Sequence, residues 1–282
     1  MRVDLGAFRF LIMGKFWTRL WNEINDDNCW GMAAQLSYYF LMAFFPFLIF
    51  LSAVIGFIPV GPDVLKQFLA EFNIFMPDKT YDLVNGIVTP LLQSRAEGLL
   101  TFGILLSLWF GSLAFNGMIS VLNQAYQAKE TRSYLHTRSL SIFVTVVVSL
   151  FTILSMVLLF FGDWLIRVTF DLPSVQFWYS LIRWLLIFLL LNIGVQIMYY
   201  ALPAWRSPWR LISPGGIFAT TGWVVGTLVF RNYVNDFGNF QMLWGSLGTS
   251  IGLMVWFYIS SFCLLLGGEI DSEIFKLRKE GV

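Results

Sequence analysis

Residues 28–62 read NCWGMAAQLSYYFLMAFFPFLIFLSAVIGFIPVGP, without one charged side chain. A bilayer core of roughly 30 Å is crossed by about 20 helical residues, so the run is long enough to span a membrane. Pro46 lies inside it. A proline removes one helical hydrogen bond and displaces the preceding turn, which predicts a kinked first span. The entry half, Trp30 to Tyr39, is small and polar and suits contact with other helices; the exit half is Phe, Leu and Ile and suits lipid.

The rest of the chain keeps this balance. Of 282 residues, 57% are hydrophobic and only 12% charged, too little polar surface for a soluble protein of this length. A formal net charge of +1 lacks the basic surplus of a nucleic-acid binder, so no nucleic-acid partner is expected. Cys29 and Cys263 define no disulfide framework and read as packing residues. His136, the single histidine, has no partner at metal-ligand spacing. No metal site, cofactor or catalytic residue is expected.

Further charge-free runs cover 98–128, 139–162, 184–205, 211–230 and 237–268. The predicted spans are 34–60, 99–124, 139–162, 180–202, 211–231 and 246–268, with 237–245 as an interfacial loop before the last. Ahead of them, Met13, Phe16, Trp17, Leu20, Trp21 and Ile24 share one helical face. That face fits a helix lying in the membrane interface, or one packed against the bundle. After the first span, Pro62-Asp63 and Pro77-Asp78 precede amphipathic runs and predict two short outer helices.

The expected fold class is all-α integral membrane. It is a six-transmembrane-helix bundle with an N-terminal amphipathic interfacial helix (1–27), a transmembrane domain (28–268) and a cytoplasmic tail (269–282). Most of the 18 basic residues fall on one side, among them Arg19, Lys129, Arg132, Arg138, Arg206, Arg210, Lys276 and Arg278. The positive-inside rule then places both termini in the cytoplasm, as an even number of spans requires.

No ionisable residue falls at the centre of a predicted span, which removes the commonest marker of a proton relay. Uncharged polar residues instead form stripes: Gln35 and Tyr39; Ser112, Asn116, Ser120 and Asn123; Thr145, Ser149 and Thr152; Asn192, Gln196 and Tyr200; Ser246, Ser250, Tyr258 and Ser261. Amides facing hydrocarbon cost several kcal/mol each, so the stripes should point inward. They are either interhelical glue, at about 0.6 kcal/mol per contact, or the wall of a polar cavity. The fifth span opens with Ser213-Pro214-Gly215-Gly216, and its glycines echo Gly103, Ser107 and Gly111 of the second. Gly- or Pro-interrupted helices at matching places in two halves are a feature of secondary transporters. At the end of the last span, Glu269 and Glu273 share a face, on the same side as Asp26 and Asp27. A cation site is conceivable there, but a solvated helix end is the simpler reading.

Residues 28–46, Leu135 to Leu140, Tyr199-Tyr200-Ala201-Leu202-Pro203, and the combination of Pro214-Gly215-Gly216, Trp244-Gly245-Ser246-Leu247-Gly248 and Leu266-Gly267-Gly268-Glu269-Ile270 resemble the YihY/virulence factor BrkB family over nearly the whole chain. Trp244 stands where that family more usually has Tyr. The resemblance implies a multi-pass protein of the bacterial inner membrane. Members have carried the label ribonuclease BN, but the solitary histidine and scattered acids here do not form a site for metal-dependent RNA hydrolysis.

The expectation is therefore a transporter or flippase-like protein for an amphipathic or weakly charged, lipid-like substrate. Gln35, Tyr39, Asn116, Asn123, Asn192, Gln196 and Tyr258 would line its cavity. Pro46, Pro214, Gly215 and Gly216 would be conformational elements, and Arg206 and Arg210 would contact head groups or anchor to anionic lipid. The alternative is a non-transporting scaffold in envelope assembly. Expected partners are membrane lipids, with a second copy of the chain and envelope proteins as further candidates.

Overall fold

The structure, a computed structural model, describes residues 14–57, 86, 97–169, 173–204, 209–236 and 247–279. They form seven helices: α1 (Gly14–Asp26), α2 (Cys29–Phe57), α3 (Glu97–Ala125), α4 (Tyr134–Thr169), α5 (Pro173–Ala201), α6 (Pro214–Asp236) and α7 (Leu247–Lys279). Five of them, α2, α3, α4, α5 and α7, contain stretches long and apolar enough to cross a membrane. The 23-residue α6 is not among these five. Its last turns carry Arg231, Asn232, Asn235 and Asp236, which lower its apolar character.

Local chemistry sets the ends of these helices. Asn28 adopts a positive φ of 50°, a conformation that Asn tolerates better than most residues. Its side-chain oxygen accepts the Gly31 N–H at 3.4 Å, so one residue closes α1 and caps α2. Gln127, with φ 49°, ends α3: its N–H bonds to the Gln124 carbonyl, and the Ala128 N–H to that of Asn123. That pair of bonds is a Schellman motif.

The core lies where α2, α3, α4, α5, α6 and α7 meet. Leu36, Met118, Leu122, Val144, Val195, Ala219 and Leu265 pack together there. Outside it, Phe102, Leu105, Trp109, Leu150, Leu154, Trp178, Leu185 and Val229 are exposed. In a chain with five membrane-length helices, such a belt is the surface that meets lipid. The starts of α2 and α6 and the ends of α3, α5 and α7 gather at one end of the bundle. There the Ser272 hydroxyl donates to the Ala125 carbonyl at 2.6 Å, and Arg132 Nη2 to the Leu202 carbonyl at 2.8 Å.

α2 is one helix with Pro46 inside it, as the first span was read. Two helices run longer than their expected spans. α4 runs 36 residues instead of ending near 162. α7 does not stop at Gly268 but continues to Lys279. The reason is packing: Ile270, Ile274 and Leu277 recur at four and three residues and bury against Phe16, Leu20 and Ile24 of α1. The presumed solvated end is therefore covered, with Glu269, Asp271, Ser272 and Glu273 all buried. α1 packs on the bundle through this face, while Trp17 and Trp21 stay exposed. The two outer helices, the loop at 237–245 and Arg206 lie outside the described residues.

Candidate functional site

The densest polar cluster joins α5, α6 and α7. Ser213 caps α6, its hydroxyl accepting the Gly216 N–H at 3.0 Å, and Pro214 follows at the first helical position, where its missing N–H costs nothing. The Asp271 carboxylate completes the cap from α7. Its Oδ1 accepts the Gly215 N–H at 2.9 Å and its Oδ2 accepts the Ser213 hydroxyl at 2.5 Å. A negative group at a helix N-terminus is favoured by both the free N–H groups and the macrodipole. Gln196 adds an N–H bond to Ser213 Oγ at 2.7 Å, and the Tyr199 hydroxyl donates to the Leu264 carbonyl at 2.5 Å.

The glycines permit this contact. A methyl group on Gly215 would overlap the Gly267 carbonyl oxygen and press on Asp271, so α6 and α7 touch backbone to backbone here.

A cavity of about 20 Å³ lies beside the cluster, lined by Tyr126, Gln196, Tyr199, Tyr200, Arg210, Ser213, Asp271 and Phe275. It has room for one water and polar partners to hold it. An apolar groove of about 150 Å³ opens between α1, α6 and α7, lined by Trp17, Leu20, Trp21, Ile24, Phe218, Leu266 and Ile270.

Of the residues expected to line a cavity, the structure brings Gln196 to this cluster, together with Arg210 and the Pro214-Gly215-Gly216 turn. Asn192 is buried farther along α5 and donates to Thr220 at 3.4 Å, its own carbonyl oxygen unpartnered. Asn123 ties the loops together: its amide donates to Glu130 at 2.8 Å, and its carbonyl accepts the Ala204 N–H at 2.6 Å. Arg132 bonds the same Glu130 and holds its carboxyl down at about 2, below the usual carboxylate range. Gln35 is exposed on α2 and donates to the Tyr39 hydroxyl at 3.4 Å. Asn116 is half-buried on α3, and Tyr258 is half-buried and stacked on Phe262. Asn116, Gln35, Tyr39 and Tyr258 are not among the residues lining the cavity at Asp271.

Sequence reasoning missed Asp271 itself, because the acidic run looked solvated. The signal was present in Ile270, Ile274 and Leu277, whose spacing requires a covered face three turns beyond Gly268.

A second polar cluster lies under α1. Glu269 is 2% exposed and accepts the Cys29 thiol at 3.5 Å. One ligand oxygen from each of Glu23, Asp27 and Glu269 lies within 4.8 Å of the others. Lys276 reaches Glu23 at 2.8 Å, and Arg19 reaches Glu273 at 3.7 Å. Burial, with Glu23 beside it, raises the Asp27 carboxyl above its usual value. Asp26, expected with this group, points outward and is exposed.

The family described as virulence factor BrkB matches residues 20–281. The chain is 34% identical over 252 residues to the putative ribonuclease-like protein YfkH of Bacillus subtilis, covering 88% of this chain and 90% of the relative. It is 26% identical over 272 residues to the UPF0761 membrane protein YihY of Salmonella typhimurium, covering 92% and 88%. A UPF0761 membrane protein of Psychromonas ingrahamii is 24% identical over 266 residues, covering 93% and 88%. No solved structure matches the chain. With its five membrane-length helices and a family match over nearly its whole length, the chain belongs to the virulence factor BrkB family of membrane proteins.

Proposed function

We propose that the protein moves an amphipathic, weakly charged substrate across the bacterial inner membrane, the head group passing the Asp271 cluster while the tail remains in lipid. The observation that carries this reading is a polar cavity where the start of α6 meets α5 and α7, together with an apolar groove between α1, α6 and α7. Gln196, Arg210, Ser213 and Asp271 offer donors and acceptors on one hand; Trp21, Phe218 and Leu266 offer an acyl-chain surface on the other. A buried ionisable group in a membrane helix bundle is a default functional candidate, because holding it there is costly. The cavity admits one water, so the arrangement corresponds to a closed passage. Opening would part α6 from α7 at the Gly215–Gly267 contact.

In this reading α6 is a sixth span, since it packs between α5 and α7. The end that holds Arg19, Lys129, Arg132, Arg210 and Lys276 faces the cytoplasm, with both termini. The reading assigns no enzymatic step. The word ribonuclease belongs to the name of the Bacillus relative.

A scaffold role in envelope assembly is the second reading. It is favoured by Asn123, Asn192 and Gln196 bonding to neighbours instead of facing one open space. Solvent access separates the two. In a chain with Cys29 and Cys263 replaced by alanine, cysteine at Gln196 or Asn192 should react with a membrane-impermeant thiol reagent if the passage opens. Protection equal to that of a cysteine at core position Leu122 would favour the scaffold.

A further inference from the structure

The carboxylates under α1 come from three separate places: Glu23 from α1, Asp27 from the turn after it, and Glu269 from α7. Like charges this close cannot all be ionised without a counter-charge. Lys276 supplies part of it, at Glu23. Glu269 Oε2 and Asp27 Oδ2 are buried with no N–H or hydroxyl donor, Glu269 is almost wholly removed from solvent, and the two carboxyls lie within hydrogen-bond reach of each other. A buried carboxylate oxygen without a donor is costly, and such an oxygen calls for a ligand.

We propose that Glu23, Asp27 and Glu269 form a binding site for a hard divalent cation of the Mg²⁺ or Mn²⁺ class. The donors are oxygens from carboxylates alone, the set such cations favour. Charge agrees: among the described residues Glu23, Asp27 and Glu269 gather three carboxylates beside the ammonium group of Lys276, and a divalent ion offsets the excess. Glu23 and Asp27 are half-exposed, which leaves a side open for the waters that Mg²⁺ retains. The ion fastens α1 and the α1–α2 turn to the end of α7. It has a binding role and not a hydrolytic one, since Glu269 lies under α1 where no polymer backbone can reach it.

The test uses the purified full-length chain in nanodiscs, stripped with chelator and titrated with Mn²⁺ under electron paramagnetic resonance. One Mn²⁺ should bind per chain and be displaced by Mg²⁺. Asp27→Asn and Glu269→Gln should each weaken binding at least about tenfold, the scale on which even indirect changes to a metal site act. Glu130→Gln, at the same end of the bundle but outside the cluster, should leave it unchanged. Mn²⁺ should also raise the thermal midpoint of the unaltered chain and not that of Asp27→Asn. If Glu269→Gln does not fold, the half-exposed Asp27→Asn carries the comparison. No saturable binding to the unaltered chain at millimolar Mn²⁺ would overturn the proposal in favour of a proton shared by the acids. Binding undiminished in Asp27→Asn would overturn it equally.

Discussion

Asp271, in the last helix, accepts the Ser213 hydroxyl at 2.5 Å, 58 residues away in sequence, at the first turn of α6. The bond makes the α6 N-terminus a property of two helices at once. Asp271→Ala leaves the Ser213 hydroxyl and the Gly215 N–H buried without their acceptor, at about 1–3 kcal/mol for each lost partner. Asp271→Asn keeps one acceptor oxygen and should cost less. Reversible unfolding in mixed micelles should rank the unaltered chain first, Asp271→Asn second and Asp271→Ala last.

Gly215→Ala puts a methyl group into the Gly267 carbonyl and should destabilise by about 1–3 kcal/mol, the usual range for overpacking. Gly194→Ala on α5 is the control. No atom outside its own turn lies within 4 Å of a methyl there, so it should be neutral or gain up to about 1 kcal/mol of helix propensity. Thermal midpoints in detergent compare the two. Equal effects would mean that α6 and α7 do not touch at Gly215.

The membrane architecture was legible because charge-free runs leave a chain few other places to go. The polar cluster was half legible. Ser213-Pro214-Gly215-Gly216 reads as a helix start from its residue types alone, and Gln196 reads as an inward amide. Their partner on α7 did not. Asp271 sits in a run of acids, and local charge suggested water. Only the longer period of Ile270, Ile274 and Leu277, matched with Phe16, Leu20 and Ile24 some 250 residues earlier, shows that the run is covered. Asn123 illustrates the opposite limit. Its inward face was predictable, but bonds to Glu130 and Ala204 depend on loop paths that no periodicity encodes.

Glu130 gives a pH signature. Its carboxyl is depressed from 4.5 to about 2, chiefly by hydrogen bonding to Arg132. A depressed carboxylate contributes stability that is complete above its unfolded value and is lost as pH falls through the folded one. The contribution should therefore be full above about pH 4.5 and fade toward pH 2. With its side chain 30% exposed, solvent screening limits it to about 1 kcal/mol at neutral pH. Glu130→Gln should lower the thermal midpoint at pH 7, and the gap from the unaltered chain should shrink at pH 3. A gap independent of pH would refute the ion pair as its cause.

Phe16 anchors α1. It is fully buried against α7, and truncation of such a side chain costs about 3–5 kcal/mol. Phe16→Ala should loosen α1 while leaving the membrane helices in place. Hydrogen exchange should then quicken at residues 14–26 and at the last turns of α7, without change in α3. Uniform acceleration over the whole chain would show that α1 is not a separate unit.

Passage of lipid through the bundle would be read from the movement of a labelled lipid between leaflets. The unaltered chain and Asp271→Asn would be reconstituted into phosphatidylethanolamine–phosphatidylglycerol vesicles carrying a fluorescent lipid on both leaflets, with dithionite quenching the outer one. Quenching should run past half in vesicles holding the unaltered chain, and Asp271→Asn should slow the second phase several-fold at equal protein content. Quenching that stops at half, as in protein-free vesicles, or a second phase indifferent to Asp271, would contradict that passage.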